Sequence, residues 1–542
     1  MCFVRSNNRR RILCICTVFM PITAKPKLYN PRHPERTLLY QTVAEHYETW
    51  LELASTGQFD GQGDHHTPKP FVRKAFAKYL ECGIFAHGFA RARCGDCGHD
   101  YFVAFSCKGR GVCPSCNTRR MAETAAHLTD HVVPRLPVRQ WVLSVPKRLR
   151  YYMQRDAAVL SMVLRIFVRV IAQTLQTHSP GAAHMDKAGL HIGAIAFIHR
   201  FGSSLNEHVH FHVCVVDGVF EEVAGEGSAD APMQVSASGV VFHAASGIDA
   251  ATVVQVQTTL QKRILRAFVG WGLLESFEAK EMLAYKHSGF SVDAGVCIEA
   301  HDRAALERLL RYCARPPFAM ERLRKQGAAL VYRCAKQRSE PDSDKRGAKA
   351  DELHLTPLEL IDRIAALVPP PRAHRHRYFG VLAPNSPLRA AVTALAQPTA
   401  PQPATVETAR SGSGMPGVAL PGNAATPHPT PSTPEPAAPP KRPAHYLWAV
   451  LIARIYEVFP LLCPMCGGQM RIIAFITHSV DIRQILEHIG ADSEPPHITP
   501  ARGPPLWDDC DAQVDDGVQG DPGWDLAAQP APDHEVDQRV SW

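Results

Sequence analysis

Alternating histidines in one short segment are the residues of this chain best suited to metal chemistry. The segment runs His208-Val209-His210-Phe211-His212-Val213-Cys214-Val215-Val216. In a β-strand, successive side chains point to opposite faces, so the three histidines share one face and the valines and Phe211 share the other. Three imidazoles in a row suit a divalent metal ion, and the apolar face suits a hydrophobic core. The alternative is a solvated strand face with surface histidines that bind no metal.

Cysteine pairs indicate a structural zinc module. The pair Cys94-x2-Cys97 is separated by 15 residues from the pair Cys113-x2-Cys116, and this spacing predicts four thiolates around one tetrahedral zinc ion. In a chain with 16 cysteines and 542 residues, such pairs favour zinc over disulfides and therefore a reducing compartment. Two nearby cysteines could extend or vary the site: Cys82 and Cys107.

Basic residues surround these cysteines, so the module could contact DNA phosphates as well as being held together by zinc. The residues expected to bind DNA are Arg91, Arg93, Lys108, Arg110, Arg119 and Arg120. A purely structural zinc module is the alternative.

A further pair of cysteines lies near the C-terminus. Cys463 and Cys466 form one Cys-x2-Cys knuckle with no evident second pair after it. Two interpretations stay open: a metal site completed by other residues, such as His478 or His488, or a knuckle-like turn without metal.

A tyrosine on a predicted helix is the candidate nucleophile. We expect Asp302 to cap the start of the helix and Pro316 to force its end. Arginines close to Tyr312 could hold a phosphate and favour the phenolate: Arg308, Arg311 and Arg315. An isolated helix tyrosine without such neighbours would be interpreted as a packing residue.

The histidine strand and Tyr312 together predict a strand-transfer reaction. Mg²⁺ or Mn²⁺ held by the histidines would polarise a phosphate of single-stranded DNA. Attack by Tyr312 would form a 5′-phosphotyrosine and release a 3′-OH. The covalent bond would store the energy needed to rejoin the strand without ATP.

Composition and periodicity give the organisation of the chain. The net charge of +7 is mildly basic although the last ~40 residues are acidic, which is compatible with a nucleic-acid partner. Strand and helix patterns alternate between residues 135 and 395, so we predict an α+β fold with an antiparallel sheet. The first apolar run is too short to span a bilayer, and we expect no membrane segment.

The predicted segments are 1–24 (mis-called or disordered N-terminus), 25–125 (helical and zinc-binding, DNA-binding module), 135–395 (nuclease domain), 397–443 (Pro/Ala-rich disordered linker), 444–500 (small module with the C-terminal knuckle) and 501–542 (acidic disordered tail).

Four motifs follow one another along the chain. They are Cys107-Lys108-Gly109-Arg110-Gly111-Val112-Cys113-Pro114-Ser115-Cys116, His208-Val209-His210-Phe211-His212, Tyr312-Cys313-Ala314-Arg315-Pro316-Pro317 and His374-Arg375-His376-Arg377-Tyr378-Phe379-Gly380. This order resembles HUH single-strand endonucleases and, more closely, the rolling-circle transposases of the insertion-sequence-91 type. The resemblance covers roughly residues 25–395 and the segment around Cys463.

The resemblance implies an HUH-type antiparallel sheet flanked by helices and preceded by a small zinc-binding module. It implies that His210 and His212 hold the metal, with His208 as a lesser candidate, and that Tyr312 is catalytic. The third metal ligand is not fixed by the sequence, and Asp293 and His287 are candidates because they lie on or beside the strand before the tyrosine helix.

One departure from the family concerns the number of tyrosines. Some members carry two tyrosines four residues apart on the helix, whereas here the flanking positions are Arg308 and Pro316. Only Tyr312 remains, so either one tyrosine is reused or a second subunit supplies another.

The function implied by the resemblance is a transposase that nicks and rejoins single-stranded DNA at transposon ends. Its partners would be transposon termini and target DNA. The protein would be located in the bacterial cytoplasm, in association with the nucleoid. Two alternatives are a plasmid replication initiator or relaxase with the same chemistry, and a non-catalytic zinc-dependent DNA-binding protein with structural histidines. The zinc module ahead of the nuclease and the Tyr-x3-Pro-Pro context favour the transposase.

Overall fold

A computed structural model describes residues 32–57, 67–222, 235–236, 239–285, 289–334, 352–397 and 462–502. The predicted N-terminal extension, most of the Pro/Ala-rich linker and nearly all of the acidic tail lie outside these residues. So does His287. The described chain mixes helices with antiparallel sheets, which confirms the predicted α+β class.

The N-terminal region combines helices with a small sheet. Its elements are α1 (Leu38–Thr56), α2 (Pro70–Leu80), β1 (Phe89–Cys94), β2 (Asp100–Ala104) and α3 (Pro114–His131). Thr37 caps α1 by accepting from the Tyr40 N–H, and Gly57 ends it in the left-handed conformation.

The central region supplies most of the fold. In chain order its elements are β3 (Val138–Ser144), α4 (Lys147–Arg155), α5 (Ala157–His178), β4 (Leu190–His191), β5 (Gly193–Phe201), β6 (Glu207–Val216), β7 (Gly218–Glu222), β8 (Val235–Ser236), β9 (Val240–Ala244), α6 (Ala250–Gly270), α7 (Ser276–Ala284), β10 (Ser291–Ile298), α8 (Arg303–Cys313), β11 (Leu323–Gln326), β12 (Ala329–Arg333), β13 (Glu352–Leu355), α9 (Pro357–Ala366), β14 (His376–Gly380) and α10 (Arg389–Ala394). The C-terminal segment adds β15 (Met470–Ile476) and α11 (Ser479–His488).

A five-stranded antiparallel sheet in the order β10-β3-β6-β5-β14 forms the centre of the molecule. The histidine strand β6 is its middle strand, between β3 and β5. One face of the sheet packs on α5 and α6 in the largest core, to which β6 contributes Val209, Phe211, Val213 and Val215. The other face packs on α3 and α8 in a second core that includes Cys214 and Tyr312.

Helix α5 has the composition of a membrane span, with 22 residues and a mean hydropathy of 1.8 over its most apolar 18 residues. It is the one helix within the described part of the chain that meets this criterion. Its side chains Leu160, Leu164, Phe167 and Ile171 are fully buried against the central sheet. The apolar composition of α5 is therefore explained by its place in the core.

Two features cross the domain boundaries predicted from the sequence. Helices α1 and α2 share a core with β12, β13 and α9, so the N-terminal helices pack on the far end of the central region. Strand β15 pairs with β1, which extends the small N-terminal sheet to the order β15-β1-β2.

Candidate functional site

The histidines of β6 lie under α8 and not at the solvent. His210 is 1% exposed and His212 is fully buried, while Phe211 between them is fully buried on the opposite face. The alternation predicted from the sequence is therefore correct, and the alternative of a solvated histidine face is wrong.

A third histidine completes a cluster with this pair. His199 on β5 lies directly opposite His210 in the antiparallel register. One ring nitrogen from each of His199, His210 and His212 lies within 4.8 Å of the others. Sequence reasoning did not include His199 among the candidate ligands, because it lies on a different strand from the alternating histidines. The signal was available, since the alternation of Ala196 and Ile198 on one face puts His199 on the other.

Hydrogen bonds to carbonyl groups orient two of these rings. His199 Nε2 lies 2.7 Å from the Cys313 carbonyl oxygen, and His210 Nδ1 lies 3.2 Å from the His208 carbonyl oxygen. A carbonyl only accepts, so both of these nitrogens carry the proton. The remaining atoms, His199 Nδ1 and His210 Nε2, then direct lone pairs at each other across 3.2 Å. Two facing lone pairs repel, and a cation between them removes the repulsion.

The Gln140 side chain orients the third ring, that of His212, by a hydrogen bond. Its side-chain amide lies 2.8 Å from His212 Nδ1. With the amide nitrogen assigned to this contact, Gln140 Oε1 and His212 Nε2 are both buried without a hydrogen-bond partner among the described residues. With the amide rotated, Oε1 accepts a hydrogen bond from His212 Nδ1, and His212 Nε2 keeps a free lone pair. All three rings then offer one nitrogen to a cation.

The electrostatic environment keeps these rings neutral. Burial, reinforced by the charge of Arg315, lowers the pKa of His199 to about 3. Burial and the neighbouring His199 ring also hold the pKa values of His210 and His212 well below the ordinary value. Neutral imidazoles are the form that binds a divalent metal ion, so the donor set fits such an ion.

Tyr312 lies beside this cluster near the end of α8. Its ring meets the His212 ring edge to face, with 5.5 Å between the centroids, and its side chain is 8% exposed. The guanidinium carbon of Arg315 stands 4.3 Å from the centre of the Tyr312 ring. The predicted nucleophile and metal strand are thus adjacent although about a hundred residues separate them in the chain.

The cysteines form two clusters of four. The first consists of Cys82, Cys107, Cys113 and Cys116, and the second of Cys94, Cys97, Cys463 and Cys466. The expected convergence of Cys94, Cys97, Cys113 and Cys116 on one ion is therefore wrong. Cys113 is the N-cap residue of α3 and is buried with Cys116 in the core that α1 and α2 share with α9, whereas Cys94 and Cys97 lie at the turn between β1 and β2.

The first cluster has the chemistry of a zinc site. The sulfur of Cys116 lies 3.6 Å from that of Cys82 and 3.5 Å from that of Cys107, and the sulfurs of Cys113 and Cys82 are 3.6 Å apart. These separations are near the ~3.8 Å that a tetrahedron with Zn–S bonds of ~2.3 Å requires. Backbone N–H groups of Cys107 and Gly109 donate to cluster sulfurs, and Arg32 donates to the sulfur of Cys82. These donors and the arginine charge offset the negative charge that four thiolates bring to one ion.

Two protein-family models match parts of this chain. Residues 53–145 match the transposase zinc-binding domain of the insertion-sequence-91 type. Residues 193–389 match the transposase family Y2_Tnp, and the two regions together span slightly more than half of the chain. The chain belongs to the insertion-sequence-91 transposases. No curated protein and no solved structure matches it significantly.

The matched regions of the transposase contain the site residues described above. His199, His210, His212 and Tyr312 all lie within residues 193–389, and the first cysteine cluster lies within residues 53–145. The transposase therefore has a zinc-binding domain with a structural role, and its family acts on DNA.

Other predicted metal ligands of the transposase lie apart from the triad. His208 is buried on the same face, but its ring contacts the Ser144 hydroxyl at 3.3 Å and the Arg150 guanidinium. Asp293 aligns with His212 across β3, with Val142 between them. Two strand spacings put these positions roughly 10 Å apart, and the Asp293 carboxylate accepts from the Gly295 N–H at 2.9 Å.

The predicted DNA-binding arginines of α8 differ in their surroundings. Arg315 adjoins Tyr312 and forms no ion pair with a carboxylate among the described residues, whereas Arg311 is paired with Glu307 at 2.6 Å. Arg308 is exposed. Of the three, Arg315 is the one whose charge reaches the histidine cluster.

Several basic residues of the zinc-binding domain already have partners within the transposase. Asp100 binds Arg91 at 2.6 Å and Arg93 at 3.5 Å. Arg110 donates to the Ala373 carbonyl, and Arg120 to the Lys108 carbonyl. Lys108 and Arg93 are exposed, and Arg119 is partly exposed, so these side chains can still reach a DNA backbone.

Proposed function

We propose that this transposase nicks and rejoins single-stranded DNA at transposon ends through a covalent bond to Tyr312. The observation that supports this function is the contact between the Tyr312 and His212 rings, with 5.5 Å between their centroids. A tyrosine packed against a metal-binding triad and an arginine has what a phosphoryl transfer needs: a nucleophile, a cation site and a charge that binds phosphate.

His199, His210 and His212 would hold the cation, Mg²⁺ or Mn²⁺. When bound, such an ion supplies polarisation of the phosphate and neutralises its developing charge. The neutral, oriented rings support this assignment, because each keeps one nitrogen free for the ion.

Tyr312 is the nucleophile of the proposed reaction. Its phenolic oxygen attacks the phosphorus of the scissile phosphate, and the bond from phosphorus to the 3′ oxygen breaks. The phenol loses its proton and the leaving 3′ oxygen gains one, which yields a 5′-phosphotyrosine and a free 3′-OH. A 3′-OH can later reverse the step and rejoin DNA, because the phosphotyrosine conserves the phosphodiester bond energy.

Arg315 would assist at two points. Its guanidinium over the Tyr312 ring favours the phenolate, and its charge can bind a non-bridging oxygen of the phosphate. Helix α8 carries one tyrosine, so a second strand transfer would reuse Tyr312 or take a tyrosine from a second subunit. We expect the reaction to take place on nucleoid DNA in the bacterial cytoplasm.

Covalent capture of DNA tests this function. A single-stranded oligonucleotide from the ends of the element that encodes the chain, labelled at its 3′ end, is incubated with the protein and Mn²⁺. We expect a label transfer that survives denaturation, maps to the peptide containing Tyr312, and disappears in Tyr312→Phe. Tyr151→Phe is the control, because Tyr151 is exposed on α4.

Other results would point to the alternatives. Adducts with plasmid-origin sequences but not with element ends would favour a replication initiator or relaxase. Binding without any adduct would favour a non-catalytic DNA-binding protein. An adduct of full yield in Tyr312→Phe would show that Tyr312 is not the nucleophile.

A further inference from the structure

The second cysteine cluster joins two turns of the same kind from distant parts of the chain. Residues 94–98 and 463–467 both read Cys-x2-Cys-Gly. In the first turn the Gly98 N–H donates to the Cys94 carbonyl at 3.2 Å, and in the second the Gly467 N–H donates to the Cys463 carbonyl at 2.9 Å. Both glycines adopt the left-handed conformation, with φ of 75° and 76°, which a residue with a side chain rarely takes.

The sulfur positions fit a tetrahedral ion. Cys94 Sγ lies 3.5 Å from Cys466 Sγ, and Cys97 Sγ lies 3.4 Å from Cys463 Sγ. These separations are close to the ~3.8 Å of a tetrahedral zinc tetrathiolate and far from the ~2.05 Å of a disulfide. The Gly468 N–H donates to Cys466 Sγ at 3.4 Å, as N–H groups commonly do at thiolate ligands.

We infer that this cluster is a second zinc site, and that its zinc fastens residues 462–502 to the N-terminal zinc-binding domain. Neither matched family region includes Cys463 or Cys466, since the regions end at residues 145 and 389. The ligands Cys97 and Cys463 are 366 positions apart, so one ion closes a loop that contains the entire nuclease region.

The remaining contacts of the segment explain why it needs an ion. Strand β15 pairs with β1, and a small cluster around Phe89 and Leu486 joins α11 to the domain. Beyond these, the segment hydrogen-bonds α1 through the Thr499 and Arg502 N–H groups. About forty residues with so small a core rarely hold a fold without a metal or a disulfide.

Exposure distinguishes the two zinc sites. Cys97 and Cys466 are exposed, whereas three of the four cysteines in the first cluster are buried and the fourth is partly buried. A chelator should therefore reach the second site first. Loss of that ion should release the C-terminal segment while the first cluster keeps the rest of the domain folded.

Zinc content and cleavage of the full chain test this inference. A sequence-specific protease site is inserted after residue 420, and protein purified under reducing conditions is cut there. We expect two cysteine-bound zinc ions per chain, counted as the zinc that a mercurial thiol reagent releases so that metal on the histidine cluster is not included, and a fragment that stays bound after cleavage. In Cys463→Ser/Cys466→Ser, we expect one zinc ion and a fragment that separates on gel filtration. The control is Cys297→Ser, because Cys297 lies in neither cluster.

A titration of the cut wild-type protein with a chelator gives a measurement that does not depend on a variant folding. Release of the fragment should coincide with loss of the first zinc equivalent. The inference is overturned if the fragment dissociates while two zinc ions stay bound, or if the double variant retains two. It is also overturned if intact mass without reductant shows that these four cysteines form disulfides. None of these results depends on Tyr312 chemistry, so the proposed transposition mechanism is tested independently of the second zinc site.

Discussion

At the scale of single residues, ring nitrogens decide what the buried histidine cluster can bind. The carbonyls of Cys313 and His208 accept hydrogen bonds from His199 Nε2 and His210 Nδ1, and the Gln140 side-chain oxygen can accept one from His212 Nδ1. Each donor therefore has a partner outside the cluster that fixes its tautomer. Such partners commonly change metal affinity by about 10–100-fold when they are removed.

His199 is the residue whose role is tested most directly. In His199→Ala we expect Mn²⁺ affinity to fall more than about tenfold and covalent capture of DNA to fall at least as far, because one of three nitrogen donors is lost. His210→Ala and His212→Ala should behave alike, and binding of single-stranded DNA should largely persist in all three. Isothermal titration with Mn²⁺ and the adduct assay give the two readouts.

Asp293→Asn is the matched comparison for this prediction. Val142 separates Asp293 from His212, so we expect Mn²⁺ affinity within about twofold of the wild type. A large loss in Asp293→Asn together with normal affinity in His199→Ala would exchange the roles of the two residues.

At the scale of elements, α8 holds Tyr312 against the central sheet by contacts at both ends. The Asp302 carboxylate accepts from the Ala305 N–H at 2.8 Å, and Arg303 donates to the carbonyls of Pro134 and Val133 at 3.0 Å. At the other end, the Cys313 carbonyl accepts from His199, and its sulfur lies 3.8 Å from that of Cys214. The position of the nucleophile therefore depends on the whole helix.

Removal of the cap should loosen this helix. We expect Asp302→Ala to cost about 1 kcal/mol, because the first-turn N–H groups lose their acceptor, while Asp302→Ser keeps most of the stability. Hydrogen exchange of peptides covering residues 303–313 should then rise about fivefold. Asp249→Ala is the control, since Asp249 caps α6 in the same way and should affect only that helix. Unchanged exchange in α8 would mean that packing alone holds it.

At the scale of the whole molecule, cores are shared between segments that are distant in sequence. Helices α1 and α2 pack with β12, β13 and α9, and residues 462–502 return to the N-terminal domain. Edge strand β14 closes the central sheet beside β5, where His376 lies between the Phe197 and Tyr378 rings. His376 is thus a packing residue of the sheet edge.

His376 makes the stability of the molecule depend on pH. Burial, with the nearby His374 and His127, lowers the pKa of His376 to about 4. Between pH 4 and 6.5 the unfolded chain binds the proton and the folded chain does not, so stability falls as the pH drops through this window. At pH 5 the loss from this ring is roughly 2 kcal/mol relative to pH 7.5.

His376→Phe keeps the ring shape and removes the titration. We expect the difference in urea unfolding free energy between pH 7.5 and pH 5 to be smaller in this variant than in the wild type. Comparison of the two proteins cancels the contribution of zinc loss at low pH. An equal difference in both proteins would show that His376 does not contribute to the pH dependence.

Local sequence patterns were sufficient to predict individual elements and the chemistry of the side chains on them. The period of two in residues 208–216 predicted β6 and both of its faces, and the cap and proline around Tyr312 predicted α8 closely. These features are local, because side-chain periodicity and capping depend only on neighbouring residues.

Which residues come together depends instead on contacts between distant parts of the chain. The third histidine follows from the register of β5 against β6, and the division of the cysteines follows from the return of the chain to β1 after more than 360 residues. Spacing in the sequence cannot report such contacts, because a ligand set assembled across strands depends on sheet register and on packing of distant segments. For this reason the expected grouping of the cysteine pairs was wrong, although all eight of these cysteines cluster in two groups of four.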